Sequence, residues 1–298
     1  MSVLRGSGGL RALWLVMVAV LAAWLVVTRW DNMSALIDNL SPGPLVLLVV
    51  ASCLLLVPNA AFWTLALRSL GERPQYGIVL NASARALLAR YVPGGIWYAA
   101  GRGTLLKGHG ISMAASATVG GLELALGAPV AIVIGVVLLA VSGAVDPWVG
   151  VGAVVILVAI LGLGRAVFVR LVAWWARRRG SDLMAIPSTK MLFRLVSVLV
   201  GYWLAIGTLF WAYLEVVGPT AMQWSRTAGA FGVSWGIGFF TLFAPQGIGV
   251  FEGTLVTILD WGADAVLLVA GFRALLLARD LLLTTIAEVL ERRNRASG

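Results

Sequence analysis

Long apolar runs constrain this chain more than any other feature. Leu10–Thr28, Pro44–Leu67, Trp148–Val169 and Leu195–Val217 each carry few or no charges. Each is close to the ~20 residues that cross ~30 Å of hydrocarbon as a helix. They are far longer than the ~10-residue strands of a membrane barrel. A soluble fold of 298 residues could not hide so much apolar surface. Charged residues make up 12% of the chain, about half the usual ~25%. An ordinary soluble enzyme, a disordered chain and a disulfide scaffold are all excluded as expectations. Cys53 is the only cysteine and His109 the only histidine, so no metal site and no cofactor is expected.

The reading is an all-α polytopic membrane protein with about six spans: 11–28, 44–67, 111–141, 148–171, 194–217 and 264–289. The first is kept as an anchored span, because Thr28-Arg29-Trp30-Asp31 is not a small-residue cleavage site. Two further apolar stretches, 76–101 and 227–260, are broken in the middle by Gly and Pro. Residues 1–298 are read as a single transmembrane domain.

The net charge of +9 would suggest nucleic acid in a soluble protein. Here it orients the chain, because Lys and Arg gather in cytoplasmic loops. Sixteen of the 22 Lys and Arg lie on one side if both termini are cytoplasmic. Arg29 and Arg226 are left on the other side. That topology makes 76–101 enter and leave on the cytoplasmic side and 227–260 on the outer side, as oppositely oriented re-entrant hairpins. The alternative is a pair of Pro kinks in otherwise complete spans. No nucleic-acid partner is expected. The location expected is a bacterial inner membrane, multi-pass.

The two broken stretches echo each other. Tyr91-Val92-Pro93-Gly94-Gly95-Ile96 matches Phe243-Ala244-Pro245-Gln246-Gly247-Ile248 as aromatic, apolar, Pro, x, Gly, Ile. With the flanking spans this outlines an inverted repeat, 44–141 with hairpin 76–101 and 194–289 with hairpin 227–260. Interrupted helices at matching places in two halves point to a transport site. Pro and Gly also free backbone groups, which lipid depth tolerates only inside protein or along a watery cavity.

Four arginines, Arg85, Arg90, Arg273 and Arg279, sit at membrane depth without a topological role. Ionisable groups there default to functional hypotheses. Arg85 and Arg90 on the first hairpin, with Arg102 just past its exit, would form a cationic vestibule suited to phosphate. Snorkelling to headgroups is the competing reading for Arg85 and Arg90. Glu123 is expected to face the bundle and pair with an arginine. Glu252 follows the second hairpin. Arg273 and Asp280, seven residues apart, are expected on one helix face. Static pairs that merely lock the bundle are the alternative to pairs that exchange as substrate moves.

Arg90-Tyr91-Val92-Pro93-Gly94-Gly95-Ile96, with Gly101-Arg102 and Leu105-Leu106-Lys107-Gly108-His109-Gly110-Ile111-Ser112, resembles the first signature of the lysylphosphatidylglycerol synthase transmembrane family. Ala244-Pro245-Gln246-Gly247-Ile248-Gly249-Val250-Phe251-Glu252-Gly253, with Arg273 beyond it, resembles the second. Trp97 and Gln246 stand where the family often has Gly, and Leu124 where it often has Arg. By position the resemblance assigns motif places to Pro93, Gly94, Gly95, Arg102, Glu123, Pro245, Gly247, Gly249, Glu252 and Arg273. It implies a flippase rather than an enzyme. The soluble transferase domain of some members is not expected after Gly298.

The expected function is flipping of a phosphate-bearing lipid, a phospholipid or polyprenyl-type substrate. Arg85, Arg90 and Arg102 would hold phosphate. Glu123, Glu252 and Asp280 would receive a headgroup or exchange with the arginines. The alternatives are a secondary transporter of a small soluble anion and a structural membrane component. Membrane lipids are expected partners, and a homo-oligomer is left open.

Overall fold

A computed structural model describes residues 42–92, 96–179, 187–218, 222–241, 247–262 and 265–296. The chain divides into two units, residues 1–45 and 46–298. Only residues 42–45 of the first are described, as the opening of helix α1. The expected span 11–28, both termini, Pro93, Gly94, Gly95 and Pro245 lie outside the described residues. Every described element is helical: α1 (Pro42–Cys53), α2 (Leu56–Ser69), α3 (Tyr76–Arg85), a 3-10 turn (Leu87–Tyr91), α4 (Trp97–Lys107), α5 (Met113–Val141), α6 (Pro147–Arg179), α7 (Thr189–Val217), α8 (Trp224–Phe239), α9 (Val250–Leu259) and α10 (Ala265–Ala296).

Among the described residues, three apolar helical stretches are long enough to cross a membrane: Pro42–Ser69, Met113–Val141 and Thr189–Val217. This is a helical membrane protein by length and composition. The first stretch is α1 and α2 in series. Its ladder is interrupted at Leu54–Leu55 because Pro58 has no N–H for the Leu54 carbonyl four residues back. Val57 N–H takes that carbonyl instead, at 3.0 Å. The starts of α5 and α7 are set by hydroxyls. Ser112 Oγ accepts from Ala115 N–H at 3.1 Å, and Ser188 Oγ from Met191 N–H at 3.2 Å. Pro129 lies inside α5, which membrane helices accommodate through neighbouring helices.

A close backbone approach joins α5 to α8. A Cβ on Gly135 would lie 2.6 Å from Val233 N and 2.7 Å from Gly229 O, and one on Gly232 would lie 2.8 Å from Ala131 O. Lipid supplies no hydrophobic drive between helices, so this kind of close packing by small residues holds them. Around it Phe210 and Tyr213 of α7, Phe231 of α8, Phe251 of α9 and Phe272 of α10 form an aromatic core, with ring centroids 5.0–5.8 Å apart. Leu56, Ala84, Leu87 and Ala287 form another core cluster with Leu80, Tyr98 and Leu283.

The contacts pair off in a regular way. Helix α3 packs on α10, and α8 packs on α5. Helix α2 packs on α3 as α7 does on α8, and α4 packs on α5 as α9 does on α10. Of the short helices, α3 and α8 thus reach across to a long helix distant in sequence, while α4 and α9 pack on the long helix that follows them.

Candidate functional site

The ionisable side chains at depth are almost all matched. Arg102 projects from α4 and is fully buried, with 0% side-chain exposure. Its guanidinium lies between the Trp63 and Tyr98 rings, 4.2 and 4.1 Å from their centroids. Such stacking suits the weakly hydrated guanidinium. Arg102 Nη2 donates to Asn59 Oδ1 at 2.8 Å, which also accepts from Tyr98 Oη at 3.0 Å. Asn59 Nδ2 donates to Glu123 Oε1 and Trp63 Nε1 to Glu123 Oε2, both at 2.8 Å. Arg102 Nη1 is 3.7 Å from Glu123 Oε2. Glu123 therefore pairs with an arginine as expected. Arg102 is not at a vestibule mouth: its side chain has no exposure, and close packing at Gly103 and Gly120 sets α4 against α5.

Glu252 and Arg273 join α9 to α10. Arg273 Nε lies 2.8 Å from Glu252 Oε1, and its guanidinium is 4.8 Å from the Phe251 ring centroid. Glu252 Oε2 accepts from Gly249 N–H at 2.7 Å, closing the start of α9. Two glycines make that start. Gly249 has φ +91° and Gly247 φ +65°. A Cβ on Gly247 would also stand 2.6 Å from Gly238 O. Gly249→Ala is expected to cost about 1–3 kcal/mol from backbone strain alone. Thermal unfolding in detergent reads that loss, and an unchanged midpoint would refute it.

Arg85, expected either at a vestibule or snorkelling, meets acids of α10: Nε is 2.7 Å from Glu288 Oε1 and Nη1 3.8 Å from Glu291 Oε1. Beside it Thr284 Oγ1 donates to Ala84 O at 2.9 Å. Arg85 is therefore a tie between α3 and α10. Arg273 and Asp280 share a helix but not a partner.

The third cluster is different. Asp280 is fully buried, with 0% side-chain exposure. Its Oδ1 accepts from Arg279 Nε at 2.8 Å, and its Oδ2 accepts from Tyr91 Oη at 3.0 Å. Arg90 Nη1 stands 3.6 Å from that same Oδ2. Arg279 Nη1 also reaches Ser52 O at 3.4 Å. Two guanidiniums thus share one carboxylate, leaving an excess positive charge. Both arginines line an opening with Leu55, Leu56, Asn59, Leu87, Tyr98, Tyr202 and Leu283. It encloses about 240 Å³ including its mouth, with enclosed room for about one water. Arg90 keeps 25% of its side chain exposed and stacks 4.7 Å from the Tyr98 centroid.

The site residues Asn59, Trp63, Tyr91, Tyr98 and Tyr202 are not among the sequence candidates. Asn59 carried a signal, being a lone amide inside an apolar run. The aromatics carried none, because rings of that kind are ordinary in membrane helices. Among the described residues no group of His, Cys, Asp and Glu could hold a metal ion.

Compared with models of known protein families the chain matches none, and no curated protein matches it.

Proposed function

We propose that this protein moves a phosphate-bearing lipid headgroup across a bacterial inner membrane while the acyl tails stay in the bilayer. The observation that carries the reading is the excess positive charge of Arg90 and Arg279 around one carboxylate, beside an opening lined by Tyr98, Tyr202 and Asn59. Guanidinium forks match phosphate oxygens two at a time. An uncompensated cation at depth is costly, so an anion that completes the set gains the most there.

The proposed architecture is six spans with two re-entrant hairpins from opposite faces, both termini inside. The paired contacts support it, since α3 on α10 answers α8 on α5. So do the ties Arg102–Glu123 and Glu252–Arg273, each joining the short helix after a Pro motif to the next long helix. The resemblance to the lysylphosphatidylglycerol synthase transmembrane family points to the same activity. Transport would then be a rocking of the two halves that parts α3 and α4 from α10 and opens the site.

A second reading is a transporter of a small soluble anion. The tightness of the opening favours it. Proteoliposomes separate the two. Wild-type protein is expected to move a fluorescent phosphatidylglycerol analogue to the outer leaflet faster than empty liposomes. Arg90→Ala is expected to slow that transfer about tenfold or more, the worth of a charge-assisted contact, with helicity unchanged. Wild-type transfer equal to empty vesicles overturns the lipid reading, and uptake of inorganic phosphate in that case establishes the second.

A further inference from the structure

We infer that Asp280 is a tethered stand-in for the substrate anion, held off Arg90 by the Tyr91 hydroxyl and supplanted at Arg90 when the anion binds. The inference rests on the anion site of Arg90 and Arg279 proposed above and assigns its regulation.

The geometry divides the carboxylate unequally. Oδ1 takes a charge-assisted hydrogen bond from Arg279 Nε at 2.8 Å. Oδ2 takes its hydrogen bond from Tyr91 Oη at 3.0 Å. Arg90 reaches that oxygen only at 3.6 Å, well beyond the ~2.7–2.9 Å of a charge-assisted bond. Among the described residues Arg90 makes an ion pair and a ring contact but no hydrogen bond. Its N–H donors therefore remain available to the opening that it lines.

A half-buried arginine is costly to keep without an anion nearby, and Asp280 meets that need loosely. An arriving phosphate offers Arg90 two oxygens in hydrogen-bond geometry, which the carboxylate at 3.6 Å does not. Asp280 then stays with Arg279 and Tyr91. Neither Tyr91 nor Asp280 lines the opening, and Tyr91 acts on the anion through its hydrogen bond to Asp280. It is a positioning residue.

The two side chains make opposite predictions. Tyr91→Phe removes the competing donor, lets Oδ2 close on Arg90, and is expected to weaken anion binding about three- to tenfold. Asp280→Asn removes the competitor and is expected to tighten binding by a similar factor. Full-length protein in detergent is titrated with inorganic phosphate and, separately, with short-chain phosphatidylglycerol, and the Kd is read from intrinsic fluorescence. The two arms tell a free anion from a lipid headgroup. If Asp280→Asn does not fold, because Arg279 loses its partner, Tyr91→Phe decides alone. Wild-type protein that binds neither probe removes the anion site itself. Binding abolished by Arg90→Ala but unchanged or tightened in Tyr91→Phe keeps the site and overturns the stand-in.

Discussion

Glu123→Ala is expected to lower the stability of the folded protein by about 3–5 kcal/mol, the usual cost of leaving a buried charge without its partner. Arg102 has 0% side-chain exposure. It cannot turn to water, since Trp63 and Tyr98 cover both faces of its guanidinium. The substitution also strips acceptors from Asn59 Nδ2 and Trp63 Nε1, and Trp63 is fully buried, so its donor is left unsatisfied. The double variant Arg102→Met with Glu123→Leu is expected to regain much of the loss, because an apolar replacement of a buried pair is often close to neutral. Thermal unfolding in detergent, followed by circular dichroism, measures both. A Glu123→Ala protein as stable as wild type, or a double variant no better than the single, would show that the pair does not hold α4 against α5.

Gly135→Leu is expected to separate α5 from α8 and leave little protein in folded form. A Cβ alone would stand 2.6–2.7 Å from backbone atoms of Val233 and Gly229. Backbone cannot swing aside as a side chain can, so the helices must part. Overpacking of this kind costs about 1–3 kcal/mol for added methylenes, and occasionally more. Here the lost surface is the close contact of α5 with α8. Gly121, about four turns earlier on α5, is exposed and has nothing within 4 Å of a built Cβ. Gly121→Leu is expected to express and unfold like wild type. Size-exclusion profiles of the two variants in detergent make the comparison, and equal behaviour would refute the close-packing account.

Much of the site was legible because membranes penalise charge so strongly. Arg85, Arg90, Arg102, Glu123, Glu252, Arg273, Arg279 and Asp280 stand out in an apolar chain, and all eight are found in ion pairs. Their partners were harder to read. Arg85 finds Glu288, 203 positions away, and Tyr91 finds Asp280, 189 away. Spacing along one helix tells which residues share a face, not which helix that face meets. The seven-residue spacing of Arg273 and Asp280 was geometrically sound. It missed that α9 brings an acid to one and the 3-10 turn a tyrosine to the other. Arg102 looked like a vestibule residue because it follows the hairpin in sequence. Small residues at Gly103 and Gly120 bring α4 close enough to α5 to bury it.

Composition and run length determined the class of protein and which residues are expensive, since both follow from transfer of single groups out of water. Tertiary structure alone decided that Arg102, Arg85 and Arg273 each have acid partners while Arg90 and Arg279 share one. That division depends on how α3, α4 and α10 rotate and approach. A difference of under an ångström, 2.8 Å for Arg279 Nε and 3.6 Å for Arg90 Nη1, separates a cation hydrogen-bonded to Asp280 from one that is only ion-paired with it.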